Sequence, residues 1–260
     1  MSAAVMGILN VTPDSFSDGG SYPTVDIAVA HARALVADGA AMIDVGGEST
    51  RPGSDPVDEA TELDRVVPVI EALRGRIGAA EISVDTTKPA VARAAVAAGA
   101  TIVNDVSASL EDTAADVGAG WIAMHAGGPS ATMQAAPHYD DVVAEVADHL
   151  ADAARRGAAA GVDRLWVDPG FGFGKTTDHN LDLIANLDRF ASIAPVLVGV
   201  SRKRTIGELH ARSDGVDAVS VDDRLVGSLG MATWAAHIGA DVVRVHDVRA
   251  TVHAVRVVGP

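Results

Sequence analysis

Eight short apolar runs along the chain each close on a polar side chain. Met6-Gly7-Ile8-Leu9 ends at Asn10, Ala41-Met42-Ile43 at Asp44, Ile82-Ser83-Val84 at Asp85, and Thr101-Ile102-Val103 at Asn104 and Asp105. Trp121-Ile122-Ala123-Met124 ends at His125 and Leu165-Trp166-Val167 at Asp168; residues 195–200 lead to Ser201 and Lys203, and the run from Val242 to Val245 contains Arg244 and is followed by His246 and Asp247. A buried polar group without a partner is costly, so a polar stop at the end of a buried strand is poor packing chemistry. Repeated eight times with one polarity, the pattern predicts eight parallel strands that aim functional groups at a single rim. That is the working face of an α/β fold, the (β/α)8 TIM barrel.

The segments between the runs have helical spacing. Helices are predicted over 25–38, 58–74, 89–98, 140–160, 179–190 and 249–257, with a seventh connection split into 205–210 and 223–237. The second places Leu63, Val66, Val67, Ile70 and Leu73 on one face. Several helices stop at Gly-Ala or Gly-Val (Gly39-Ala40, Gly99-Ala100, Gly161-Val162, Gly239-Ala240), where glycine takes the left-handed cap conformation. Helix, glycine and short strand in alternation imply crossover connections. Between Asp105 and Trp121 only residues 112–117 are free to be helical, so the fourth helix is expected to be short.

Composition narrows the picture. The 260 residues suit one barrel domain over 1–260, and 48% of them are apolar, mostly aliphatic. A formal net charge of −15 repels nucleic acid and anionic membranes, so neither is expected as a partner. The only lysines, Lys88, Lys175 and Lys203, each follow a strand end, which suggests specific work at the rim. With no cysteine, disulfides and thiolate chemistry are excluded. No signal peptide and no apolar stretch near the roughly 20 residues of a membrane span is seen, which gives a cytoplasmic expectation.

The polar residues at the rim group by chemistry. Asp85, Asn104, Asp168 and Lys203 offer carboxylates, an amide and an ammonium toward the barrel axis, a set suited to a flat, nitrogen-rich heterocycle. Arg244 and His246 alternate with Val243 and Val245 and so share a face, and Arg is a natural phosphate partner. Two loops after strands, residues 10–20 and 46–53, carry glycines and hydroxyls and read as lids or binding elements. His125 is expected to be a satisfied rim histidine. Asp44 and Asp105 are expected to support loops, and Trp121, Trp166 and Trp234 to pack.

On these segments the chain resembles the dihydropteroate synthase family, pterin-binding barrels inhibited by sulfonamides. The matching stretches are Met6 to Gly20, Ile43 to Gly53, Ser83-Val84-Asp85-Thr86, Val103-Asn104-Asp105-Val106, Asp168-Pro169-Gly170-Phe171-Gly172-Phe173-Gly174-Lys175, Ser201-Arg202-Lys203 and Val243 to Asp247. The resemblance implies condensation of 6-hydroxymethyl-7,8-dihydropterin diphosphate with 4-aminobenzoate, releasing diphosphate in an SN1-like substitution. It implies that Asp85, Asn104, Asp168 and Lys203 bind the pterin, with Met124, Phe173 and Arg244 lining its slot. It further implies that Asn10, Thr50, Arg51, Arg244 and His246 hold the diphosphate, with Mg²⁺ on Asn10, and that Phe16, Arg51 and Pro52 help form the aminobenzoate pocket. Asp85, Asp168, Lys203, Arg244 and His246 would carry the chemistry. A homodimer formed through the late helices is also implied.

The chain departs from the family pattern in four places. The usual N-terminal hairpin is expected to be missing and the fourth helix short. His125-Ala126-Gly127-Gly128 stands where the family often has His-Met-Gln-Gly, and Arg204 stands where some members have Ser. Three rival readings differ in their requirements. A pterin-dependent methyltransferase domain has no use for Asn10, Arg51 and a diphosphate site. A catalytically silent pterin-binding paralogue would be expected to have lost the two loop motifs. A sugar-phosphate barrel isomerase would need no aromatic slot.

Overall fold

The computed structural model describes residues 3–12, 25–48 and 56–259. In chain order the elements are β1 (Ala4–Asn10), α1 (Val25–Ala37), β2 (Met42–Gly46), α2 (Glu59–Leu73), β3 (Glu81–Asp85), α3 (Pro89–Ala98), β4 (Ile102–Asp105), α4 (Glu111–Asp116), β5 (Gly120–Met124), α5 (Val142–Ala160), β6 (Leu165–Asp168), α6 (Thr177–Ala185), α7 (Leu187–Ala191), β7 (Leu197–Val198), α8 (Arg204–Asp214), α9 (Leu225–His237), β8 (Val242–Val245) and α10 (Val248–Val258). All strand pairs are parallel, in the order β6-β5-β4-β3-β2-β1-β8-β7. A bridge between Val167 and Val196, with Val167 N donating to Pro195 O at 3.0 Å, brings the two ends of this order together and rounds the sheet into a barrel.

The strand period of two sorts the side chains into layers. Inside the barrel, Met6, Met42, Ile102, Ile122, Leu197 and Val242 form an apolar floor, with Trp166 packed against it. Two residues further along the same strands stand Asp44, Asn104, Met124, Asp168 and Arg244. The polar layer therefore lies directly above the floor, at the C-terminal rim. Outside the barrel, the alternate residues (Leu9, Ile43, Val84, Val103, Ala123, Val167, Val243) join the helices in one large apolar cluster.

Local chemistry sets the helix ends. Asp58 caps α2 by accepting from Thr61 N at 2.9 Å, and Asp141 caps α5 by accepting from Val143 N and Ala144 N. Thr176 and His179 form a reciprocal box at the start of α6.

The fourth helix is short, six residues. Its place in the wall is reinforced by Arg156 on α5, which donates to Ala108 O at 2.6 Å and to Glu111 at 2.7 Å. Two elements differ from the sequence expectation. The run over 195–200 pairs as a strand only at Leu197–Val198, because Pro195 has no N–H and Val196 N is taken by Asp241 Oδ2 at 2.8 Å. The helix expected over 179–190 breaks at Asn186, whose side chain donates to Asp182 O at 2.8 Å.

Candidate active site

Arg244, on β8, is the centre of the polar layer. Its Nε donates to Asp44 Oδ2 at 2.6 Å and its Nη2 to Asp85 Oδ2 at 2.8 Å. Asn104, on β4, donates from Nδ2 to the same Asp44 oxygen at 3.0 Å. Four strands thus converge through one guanidinium and two carboxylates. Burial pulls the Arg244 guanidinium down, but Asp44 and Asp85 outweigh it and raise it above its usual value. Asp85 is raised to about 7, first by burial and then by Asp44, Glu62 and Asp105, with Arg244 pulling the other way. Among the described residues, Asp44 Oδ1 and Asp85 Oδ1 are buried without a hydrogen-bond partner. Buried acceptors left in this way are suited to N–H donors of a bound molecule.

Across the barrel, Asp168 accepts from Gly170 N at 2.7 Å. Burial raises its carboxyl above the ordinary range, although the Lys203 ammonium and that amide oppose the rise. Burial lowers Lys203 to about 8, Asp168 acting against it and Arg244 with it. Lys203 Nζ donates to Phe171 O and lies 4.5 Å from the centroid of the Phe173 ring, within cation–π range. Phe173 packs with Met124 and Met133, making an apolar slot beside the ionised groups. A flat ring entering here would meet soft side chains on its faces and carboxylates, an amide and an ammonium on its edges.

At the mouth, His246 N and Nδ1 lie 3.3 and 3.1 Å from Ser201 Oγ. The turn that delivers Lys203 places Arg202 at φ 57, a left-handed position unusual for a side chain of this size. That turn is held by the two-pronged pair from Arg202 to Asp247 (2.9 and 2.6 Å) and by Arg202 N on Ser228 Oγ at 2.9 Å. Asn10 closes β1. Gly46 lies between Asn10 and Asp85: a Cβ built on it would stand 3.6 Å from Asn10 Oδ1 and 3.9 Å from Asp85 Oδ2. Mg²⁺ keeps several waters and often takes few protein ligands plus phosphate oxygens. One hard amide oxygen at the end of β1 fits that pattern, and the described residues contain no His, Asp and Glu cluster that would cage a metal unaided. Phe16, Thr50, Arg51 and Pro52 lie outside the described residues.

Several rim residues have other duties than the sequence suggested. Of the three lysines, only Lys203 faces the slot. Lys88 donates to Glu48 and, at 2.5 Å, to the buried Glu62; these partners raise its value against the effect of burial. Lys175 is 1% exposed and tied into its own loop. His125 is a satisfied rim residue whose Nδ1 lies 2.9 Å from Lys175 Nζ. Asp105 accepts from Ser107, Ser109 N, Leu110 N and Trp121 Nε1, and so orders the loop after β4. Asp44, expected as loop support, instead grips Arg244 inside the barrel. Trp121 and Trp166 pack, but Trp234 is 52% exposed among the described residues. Sequence reasoning gave no role to Met133 and Gln134. Gln134 donates to Gly172 O at 2.6 Å, and both residues sit in a long loop whose fold no periodicity reveals.

Residues 6–246 match the family described as "Pterin binding enzyme". The dihydropteroate synthase of Escherichia coli K12 is 48% identical over 98% of this chain and 90% of its own length. A solved structure of Xanthomonas albilineans dihydropteroate synthase with 4-aminobenzoic acid superposes with a TM-score of 0.89 at 49% identity, covering 98% of this chain and 92% of that one. Another, of the same enzyme in complex with 7,8-dihydropteroate, gives 0.85 at 47% identity, with the same coverage. Barrel, polar layer, slot and relatives agree: this chain belongs to the pterin-binding enzyme family, among the dihydropteroate synthases.

Proposed function

We infer that the chain is a transferase that condenses 6-hydroxymethyl-7,8-dihydropterin diphosphate with 4-aminobenzoate, giving 7,8-dihydropteroate and diphosphate. The observation that carries this reading is the buried polar layer over the apolar floor, with Arg244 bridging Asp44 and Asp85 beside the slot of Met124, Met133 and Phe173. Asp85, Asn104, Asp168 and Lys203 hold the edge of the pterin ring. Arg244 and His246, with Asn10, Thr50 and Arg51, receive the diphosphate, and Phe16, Arg51 and Pro52 bound the aminobenzoate site.

The C–O bond to diphosphate breaks with its electron pair leaving on oxygen. The carbon left behind is a cation delocalised over the ring, which Asp85 and Asp168 stabilise through space. The neutral amine then donates its lone pair to form the C–N bond and releases a proton to solvent. No covalent bond to the protein is needed. Mg²⁺, held by Asn10 and phosphate oxygens, would neutralise charge on the leaving group. The apolar slot keeps water from the cation.

The chain is read as one pterin-binding barrel domain, residues 1–260, working in the cytoplasm. Among the described residues no helix is long and apolar enough to cross a membrane. A homodimer through the late helices is supported by the exposed row Val226, Gly230 and Trp234 along one face of α9 and by exposed Val257 on α10.

The test is diphosphate release from the pterin diphosphate with Mg²⁺, with and without 4-aminobenzoate, while dihydropteroate is followed by mass. Product formation that collapses in Lys203→Ala and Arg244→Ala is the expected result. Tight pterin binding without product would overturn the synthase reading and leave a silent paralogue.

A further inference from the structure

The loop after β6 is built around an ammonium. Lys175 Nζ lies 2.9 Å from His125 Nδ1, 2.9 Å from Phe173 O, 3.1 Å from Gly170 O and 3.3 Å from His125 O. Two of these acceptors belong to the loop and two to the residue that closes β5, so one cation ties neighbouring strand ends together. Gly170, Gly172 and Gly174 have φ of 69°, 84° and 67°, which lets the chain turn Gly170 O and Phe173 O toward the ammonium. The two segments nearly touch: a Cβ on Gly170 would fall 1.8 Å from His125 O. Burial pulls Lys175 down to about 7, with Asp168 opposing and Lys203 adding to the fall. Three carbonyl oxygens around Nζ nonetheless suit a protonated amine. Burial and Lys175 lower His125 to about 3, so its ring is neutral, and facing an ammonium its Nδ1 is the acceptor and its Nε2 carries the proton.

The other surface of the same loop makes the ring slot. The Phe173 carbonyl sits on Lys175 while its side chain packs with Met124 and Met133. Phe171 O accepts from Lys203, and Gln134 holds Gly172 O from outside. A shift of the Phe173 main chain therefore moves the slot wall, and a shift of Phe171 moves the anchor of the ammonium that faces the ring.

We propose that Lys175 is a positioning residue for pterin recognition: without touching the substrate, it sets where Phe173 packs on Met124 and holds Phe171 O where Lys203 needs it. The proposal rests on the pterin reading above. Its test is equilibrium binding of 6-hydroxymethylpterin, followed by calorimetry, which is read separately from turnover.

Lys175→Met and His125→Leu are expected to weaken binding by about tenfold or more, since a displacement near 1 Å is enough for such a loss. His125→Asn, whose Oδ1 replaces Nδ1 as acceptor, is expected to stay within about threefold of wild type. KM for 4-aminobenzoate is expected to stay unchanged throughout. Where Lys175→Met fails to fold, the His125 pair decides. Undiminished pterin binding by folded Lys175→Met or His125→Leu overturns the proposal, and so does equal loss in His125→Leu and His125→Asn; either outcome leaves the synthase reading standing. A wild-type protein that binds no pterin overturns both.

Discussion

Asp44→Ala removes the oxygen that takes Arg244 Nε at 2.6 Å and Asn104 Nδ2 at 3.0 Å, inside a barrel where Asp44 is fully buried. Breaking a buried ion pair costs about 3–5 kcal/mol, and Arg244 keeps Asp85, so the lower end, about 3 kcal/mol, is expected. In a chain of 260 residues each kcal/mol lowers Tm by about 2–4 °C, giving a fall of about 6–12 °C. Arg244 then hinges on Asp85 alone, and a guanidinium displaced by about 1 Å is expected to lower kcat/KM for the pterin diphosphate by up to about 100-fold.

Asp44→Asn separates charge from shape. Its amide oxygen still accepts both bonds, so charge assistance is lost, about 1 kcal/mol per bond, and its NH2 replaces an oxygen that is buried without a partner, which adds about 1–3 kcal/mol. Thermal melting together with dihydropteroate formation at varied pterin diphosphate measures all of this. An Asp44→Ala protein with wild-type melting and wild-type kcat/KM would refute the role of Asp44 as the brace of Arg244.

Asp85 holds its proton up to about 7 when folded, against 3.8 as its ordinary value, so protonation favours the fold and its contribution to stability is lost as pH rises through that window. The difference in urea midpoint between wild type and Asp85→Asn should change between about pH 4 and 7. Taking the difference removes His125, which acts in the opposite sense because its folded value is lowered to about 3; a difference that is flat with pH contradicts the assignment. Gly127→Gln, which installs the residue common in the family, is expected to cost about 1–3 kcal/mol by overpacking, since a Cβ there meets Tyr139 OH at 2.8 Å and Gly174 O at 2.9 Å; an unchanged Tm counts against it. Chelating Mg²⁺ is expected to slow turnover and leave Tm of the free protein unchanged, because Asn10 is one donor and not a cage; a falling Tm would point to a structural metal. Trp234→Asp is expected to halve the mass seen by sedimentation, and a protein monomeric before the change rules out the proposed dimer face.

The strands and their polarity were legible because each apolar run stops at a charged or amide side chain, and burial tolerates that only at an open rim. The short α4 was legible too, since too few residues separate Asp105 from Trp121 for a full helix. Asp44 was not. Its partner Arg244 lies 200 positions away and becomes a neighbour only when β1 joins β2 to β8. The surroundings of Lys175 were not legible, because a sequence does not state which way a carbonyl points; the φ angles of three glycines decide that. The break at Asn186 carries no proline or glycine to announce it. Trp234 looked like core because an aromatic in an apolar helix carries the same sequence signature whether it is packed inside or, as here, 52% exposed.

Glycine-rich turns are usually read as cradles for anions, with amide hydrogens pointing inward. Here the Gly170–Lys175 turn has the opposite polarity, and the ion it encloses is covalently attached. A loop organised around a free sodium or potassium ion would order and loosen with the ionic composition of its medium. This one carries its own amine at fixed stoichiometry, beyond the reach of chelators or ion exchange. Its order is therefore set by the sequence and not by the salt around it, and the neighbouring slot inherits that independence.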